Sequence, residues 1–537
     1  MSLLADLKMY GRFAWGLRGF LRHRISLHEA QAIVRHRMAE RENNFLRLVE
    51  RGVYGYPRSP YRPLLKLAGC ELGDLRAMVR ARGLEATLQA LREAGVYVSF
   101  EEFKGRMPIV RGEQVIPVQS RDFDNPHLSH YYQAESGGTT GAGTRVAFDL
   151  DHLAATAVNT ILAYDAHGIL GVPTVMWYPI LPASSGIASI LHSARFGETP
   201  QKWFSLVTNQ DLAPSLKNRL ATQYIVVTGR LCGAPIPWPE LGTLDGTAVA
   251  RWAARTLRAY GACLIRTSVS LALRVANAAR EEGLDLTGAT FLGGAEPPTP
   301  AKVRGMTSTG ARYVPNYFIT EAGAVGTGCG RPVDGNDLHF YKDSLALTQH
   351  SRQVPGTEIT VKAFSFTSLL PSTPKLLLNV EMDDYGIVEH RSCGCPVESY
   401  GFTEHLREIR SFRKLTGEGV TLVGSEMIHI LEDVLPARFG GSPLDYQLLE
   451  EEDPDAFTRL ILVVSPKVAI ADERAVIETV LEALGRGSAA ADLARAVWSQ
   501  AQTLQIKRME PIWTARGKLM PLHLAQRGRD RRASDLI

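Results

Sequence analysis

From about residue 108 onward, short β-rich runs alternate with helical stretches. This alternation limits what the chain can become more than any other feature of it. Tyr224–Val227, Thr290–Leu292 and Leu376–Val380 read as strands, and Asp151–His167 and Thr247–Tyr260 as helices. Such a series predicts an α/β core with much parallel sheet. Ahead of it the texture is helical. His28–Arg51 carries Ala30, Ile33, Val34, Met38, Phe45, Leu46, Leu48 and Val49 near helical spacing, a second run from Gly73 and Asp74 closes at Gly83, and Leu84–Glu93 gives another. Near residue 412 the pattern changes again, with a strand at Leu460–Val464, an amphipathic helix at Ala471–Leu484 and a basic tail, Arg527–Arg532, that reads as solvated. The expected organisation is a helical layer over 1–105, an α/β core over 106–411 and a small α+β domain over 412–537. The length of 537 residues accommodates all three at roughly 150 residues per domain.

Composition narrows the function classes. Hydrophobic residues at 45% and charged residues at 22% exclude collagen-like, coiled-coil and wholly disordered chains. Sixty basic against 56 acidic residues leave a net charge of +4, too small and too dispersed for a nucleic-acid partner to be expected. Six cysteines without a secretory signal indicate a reducing compartment, so a cytoplasmic protein is expected. The longest uncharged stretch, Gly168–Leu191, is broken by Pro173, Pro179 and Pro182, and reads as a strand, a loop and a helix start, not as a membrane span. Residues 1–24 interleave Leu7, Phe13, Leu17, Phe20 and Leu21 with Lys8, Arg12, Arg18, Arg22 and Arg24. That amphipathic pattern either packs on the protein itself, the commoner outcome, or makes a peripheral contact with an anionic membrane.

The segment Glu135-Ser-Gly-Gly-Thr-Thr-Gly-Ala-Gly-Thr144, followed by Arg145, carries the first chemical signal. Four glycines let backbone N–H groups turn toward a ligand and four hydroxyls add donors, which suits the acceptor-only oxygens of a polyphosphate. It is not a P-loop, because no Gly-Lys-Ser/Thr ending follows. Further along come Gly293-Gly-Ala-Glu-Pro-Pro298, Asn316-Tyr-Phe-Ile-Thr-Glu321, Asp383-Asp-Tyr-Gly386, Arg410 with Gly419 and Glu426, and Thr514-Ala-Arg-Gly-Lys518.

Taken in order over about residues 106–520, this series resembles the adenylate-forming (AMP-binding) enzymes. Gly-Ala-Glu-Pro and a later Cys-Gly-Cys look most like the phenylacetate–CoA ligase branch. The resemblance implies a large N-terminal domain of mixed sheets and helices with a small mobile C-terminal domain. It also implies an enzyme that joins a carboxylate to the α-phosphorus of ATP, releases pyrophosphate, and passes the acyl group to a thiol, usually that of coenzyme A. By that resemblance Ser136, Gly138, Thr139, Thr140, Gly141 and Thr144 hold the β- and γ-phosphates, and Gly294, Ala295, Glu296 and Pro297 line the adenine pocket. Tyr317 stacks on the purine, Thr320 and Glu321 help place Mg2+, Asp384 accepts from the ribose hydroxyls, Arg410 binds the ribose–phosphate region, and Lys518 reaches the carboxylate and α-phosphate.

The sequence departs from the family pattern at Gly143 and Thr144, where proline and lysine are common. Phe318 stands in place of glycine, Phe412 in place of a polar hinge residue and Arg516 in place of serine. Arg145 is a candidate replacement for the loop charge, Arg413 competes with Arg410, and Asp383 with Asp384. Cys329, His339, Cys393 and Cys395 would complete a tetrahedral structural zinc site, although the Cys-x-Cys spacing is tighter than usual; buried free thiols are the alternative. The expected substrate is a small aromatic or fatty carboxylic acid. Alternatives to coenzyme A as acceptor are a carrier protein, an enzyme cysteine or an amine, and a catalytically silent nucleotide-binding scaffold is the alternative from another class.

Overall fold

The structure is a computed structural model that describes residues 3–129, 131–135, 145–181, 183–206, 216–243, 245–353, 360–411, 416–417, 420–421, 425–452, 458–484, 504–514 and 517–524. The expected phosphate loop (Ser136, Gly138, Thr139, Thr140, Gly141, Gly143 and Thr144) lies outside the described residues, as do Phe412, Arg413, Gly419, Arg516 and the Arg527–Arg532 tail.

One twelve-stranded sheet organises the core. In chain order its strands are β1 (Thr174–Trp177), β2 (Lys202–Ser205), β3 (Pro239–Leu241), β4 (Cys263–Ser268), β5 (Ala289–Gly294), β6 (Arg312–Ile319), β7 (Gly323–Gly328), β8 (Leu338–Phe340), β9 (Leu345–Gln353), β10 (Thr360–Ser368), β11 (Val380–His390) and β12 (Glu404–Ser411). They lie side by side as β9-β10-β11-β12-β8-β7-β6-β5-β4-β1-β2-β3. From β3 to β6 every pairing is parallel, and from β6 to β9 every pairing is antiparallel. The parallel half follows from its connections, since each strand returns through a helix. Its strands are covered on both faces, which is why β1 and β4 are buried along their whole length and do not alternate.

The helical layer runs as expected. Leu72–Arg82 stops at Gly83, whose φ of +79° only glycine adopts readily, and Leu84–Glu93 follows. His28–Arg51 divides at Glu40 into Leu27–Ala39 and Arg41–Val49, the first opened by a Ser26–Glu29 capping box. This layer packs Phe45, Leu64, Leu88 and Phe103 against Phe364 and Phe366 of the antiparallel half. Helix Leu3–Arg22 buries Phe13, Leu17, Phe20 and Leu21 on Tyr132 and Phe148, so its apolar face is occupied by the protein itself. Among the described residues no helix is long and apolar enough to cross a membrane. Gly168–Leu191 supplies β1, a loop and the start of helix Ser185–Ala194.

Two expected strands are corrected. Tyr224–Val227 belongs to helix Leu216–Leu231, where Ile225 and Val226 enter the core while Tyr224 and Val227 face outward; packing of one helical face overrides local β propensity. Of Leu376–Val380 only Val380 is in a strand. Asn379, at φ +50°, breaks the extended run and donates its amide to Leu88 O (2.7 Å) and Val96 O (3.1 Å).

The small domain has a sheet of β13 (Tyr446–Glu452), β14 (Thr458–Val464), β15 (Leu504–Arg508) and β16 (Leu522–Leu524), ordered β15-β14-β13-β16 and backed by helix Glu473–Leu484. It meets the core at helix Pro300–Thr307. Glu432 takes an ion pair from Lys302 (3.1 Å) and a hydrogen bond from Thr299 Oγ1, and Arg304 pairs with Asp433.

Candidate functional site

Ligands of open parallel sheets bind beyond the carboxyl ends of the strands. Here the ends of β4, β5 and β6 stand together, with Ser268 opposite Gly294 and Gly294 opposite Asn316. Above them opens a cavity of about 370 Å³, a size suited to a small ligand, lined in part by Gly294, Tyr317, Glu321, Asp384, Arg410 and Lys518. Ala295, Glu296, Pro297 and Thr320 border it as well. The expected adenine, ribose, magnesium and lysine positions within the described segments therefore reach one cavity, whereas Arg145, the candidate for the loop charge, is exposed and does not border it.

Each arrives for a local reason. A Cβ on Gly294 would stand 2.3 Å from Asn316 O, so only glycine lets β5 lie this close to β6. Ala295 follows at φ +72°, a costly conformation for a side-chain-bearing residue, and turns the chain sharply over the strand ends. Glu296 borders the cavity, but its carboxylate accepts from Ser270 N (2.9 Å) and Ser270 Oγ (2.5 Å), at the first turn of helix Val269–Glu281 where a negative charge is favoured. It lies 3.9 Å from Lys302.

Tyr317 donates its hydroxyl to Asp384 Oδ2 at 2.6 Å. Burial, reinforced by that carboxylate, pushes the phenol far above its ordinary value, so it remains a donor. Asp384 lies on β11 opposite Ser411, and Arg410 stands beside it on β12 opposite Tyr385. Asp383, its competitor, also borders the cavity; it sits at φ +68° and accepts from Ser411 Oγ at 3.0 Å. Glu321 is 4% exposed and ion-paired to Lys104 at 2.5 Å.

Lys518 arrives from the small domain on a tight turn closed by Thr514 N to Lys518 O (2.9 Å) and by Lys518 N to Thr514 Oγ1 (3.0 Å). Gly517 seats this turn on the core. Its φ is +71°, its carbonyl accepts from Ser268 Oγ at 3.0 Å, and a Cβ there would strike Leu206 (2.4 Å) and Leu271 (2.7 Å). Trp513 lies under the Arg274 guanidinium, 4.0 Å from ring centroid to charge.

Lys104 and Ser268 escaped the sequence reading, because a single lysine after a short helix and a serine ending a strand carry no motif. His405 escaped it for the same reason. It faces a second cluster on the far side of β12, where Cys329, His339, Cys393 and His405 each offer a ligand atom within 4.8 Å of all the others. Cys395 Sγ approaches His339 Nε2 at 3.1 Å, so the four residues expected together are together. His339 Nδ1 is fixed on Phe402 O (2.6 Å) and His405 Nδ1 on Asp337 Oδ1 (2.7 Å). His405 Nε2 is buried with no hydrogen-bond partner. Two imidazoles held by outer hydrogen bonds, one with its inner nitrogen against sulfur and the other with its inner nitrogen unpartnered, form with the thiols a donor set that fits zinc.

No family model and no curated protein matches the sequence. Among solved structures, 2-hydroxyisobutyryl-CoA ligase in a postadenylation state with R3-HIB-AMP aligns over 95% of this chain and 91% of its own, at 14% identity and a TM-score of 0.53. The same ligase with 2-HIB-AMP and CoA in the thioesterification state aligns over 96% and 93% at 16% identity (TM-score 0.46). An anthranilate CoA ligase with anthranoyl-AMP aligns over 86% and 79% at 12% identity (TM-score 0.42). The first likeness shows that this chain shares the fold of that ligase.

Proposed function

We propose that this chain activates a carboxylic acid with ATP and transfers the acyl group to a thiol, with coenzyme A as the acceptor. One observation carries the reading: Glu321, Asp384, Arg410 and Lys518, from four separate parts of the sequence, border one cavity at the strand ends. In the first step a carboxylate oxygen bonds to the α-phosphorus and pyrophosphate leaves; in the second the thiol sulfur bonds to the acyl carbon, AMP leaves and the thiol proton is released. Two anions meet in the first step, so the positive charge of Lys518 and Arg410 lowers the barrier where negative charge accumulates. Asp384, oriented by Tyr317, accepts from the ribose. Thr320 and Glu321 would hold magnesium, which supplies charge to the phosphates when bound. Glu321 is already ion-paired to Lys104, so that lysine tunes the carboxylate's availability.

The finer reading is a phenylacetate–CoA ligase-like enzyme acting on an aromatic or fatty acid in the cytoplasm, in keeping with six cysteines of which none is in a disulfide. Structural zinc belongs to the same reading, held by Cys329, His339 and Cys393 with Cys395 or His405 as the fourth ligand. The test is pyrophosphate release with a panel of acids, comparing wild type with Lys518→Ala. Acid-dependent release that falls at least a hundredfold in the variant supports the proposal. Release within a few fold of wild type removes Lys518 from the chemistry, and no acid-dependent release at all removes the proposal.

A further inference from the structure

The cavity wall also includes Ser189, His192 and Arg266, polar residues set among Ala163, Ala188 and Leu292. Arg266, on β4, borders it and is 6% exposed. Its Nη1 donates to Ser189 O (3.0 Å) and Ser193 Oγ (2.6 Å), both neutral acceptors on helix Ser185–Ala194. Among the described residues no carboxylate lies within ion-pairing distance of it. The nearby acid Glu198 instead accepts from Gly171 N at 2.5 Å. His192, also at the cavity wall, holds Thr156 Oγ1 at 2.7 Å, and burial pushes its pKa down to about 3, so it stays neutral and adds no competing charge.

A buried guanidinium without an acidic partner is costly, and sites of this kind are relieved by an anionic ligand. Its position fixes the ligand's shape. Arg266 and Ser268 share one face of β4, two residues apart, and Arg266 stands opposite Leu292 as Ser268 stands opposite Gly294. The guanidinium thus originates roughly 6–7 Å deeper in the sheet than the Ser268–Gly517 contact that delivers Lys518.

We propose that the acid activated here is bifunctional, carrying at the end remote from the reacting carboxylate a second anionic group that pairs with Arg266. The two groups are separated by about the span of one aromatic ring or a short alkyl chain. This inference rests on the acid-activation reading and adds the substrate class to it.

The experiment is ATP–pyrophosphate exchange with matched acids, terephthalate against 4-methylbenzoate and adipate against hexanoate, for wild type, Arg266→Lys and Arg266→Met. Wild type is expected to favour the dianionic member at least tenfold in kcat/KM. Arg266→Lys should keep part of that preference, and Arg266→Met should lose or invert it while still turning over the monoanionic member. Exchange that runs equally well or better with the monoanionic acids in wild type overturns the inference and leaves acid activation intact. A purely structural Arg266 would slow both members alike, so an unchanged ratio in Arg266→Met also overturns it. If Arg266→Met does not fold, the ratios of wild type and Arg266→Lys decide. Absence of exchange with every acid overturns the underlying reading and this inference with it.

Discussion

Replacing Lys302 by methionine should loosen the small domain from the core, because of what the ammonium neutralises. Lys302 is 3% exposed and sits between Glu432 of the small domain at 3.1 Å and Glu296 of the core at 3.9 Å. Burial opposes its charge, but the two carboxylates more than offset that, and its pKa is raised above the ordinary lysine value. Methionine would fill the space and leave two buried carboxylates facing each other. Removing one partner of a buried ion pair costs about 3–5 kcal/mol. With a urea m-value of about 2 kcal/mol/M for a domain of this size, the midpoint for the small domain should fall by roughly 1.5–2.5 M, followed by fluorescence and circular dichroism. A raised pKa contributes its stability below the unfolded value and loses it only as pH climbs through the higher folded value. The difference between wild type and variant should therefore be flat from about pH 6 to 9. Adding Glu432→Leu should recover at least half of the loss, because Glu296 keeps its bonds to Ser270. A midpoint within 0.3 M of wild type, or a double variant less stable than the single, would refute this reasoning.

Other outcomes follow from the same geometry. Tyr317→Phe removes the 2.6 Å bond to Asp384, and AMP affinity measured by calorimetry should fall roughly ten- to a hundredfold, since a bond to a charged group contributes about 1.5–3 kcal/mol; unchanged affinity would separate Tyr317 from the nucleotide. Gly517→Val forces a left-handed φ and a clash with Leu206 and Leu271, so the turn should undock and adenylation slow at least tenfold in a rapid-quench assay; a normal rate would mean that the turn is not seated as described. Protein purified without a metal-affinity tag should contain close to one zinc per chain, and Cys329→Ser much less; a tenth of an equivalent or less in wild type would leave the cluster a set of buried thiols.

The sequence shows some of this well and some not at all, for physical reasons. Helices bounded by glycine or capping residues, such as Leu72–Arg82, are legible because their punctuation is local. Tyr224–Val227 is not, because four β-favouring residues sit inside a helix whose face is chosen by a distant core. That Tyr317, Asp384 and Lys518 converge on one cavity is legible through the ordered motifs and the family resemblance they carry. Lys104, 217 positions from Glu321, carries no motif, and only the folded chain joins the two. Arg266 reads in sequence as one polar residue in a strand. Its meaning comes from burial without an ion-paired carboxylate among the described residues.

The most direct test is a crystal structure of the full chain with AMP. The account predicts adenosine in the cavity at the ends of β4–β6, its ribose hydroxyls on the Asp384 carboxylate and its base beside Tyr317, with the phosphate toward Lys518 or Arg410. AMP bound elsewhere, or a ribose that makes no contact with Asp384, would contradict it.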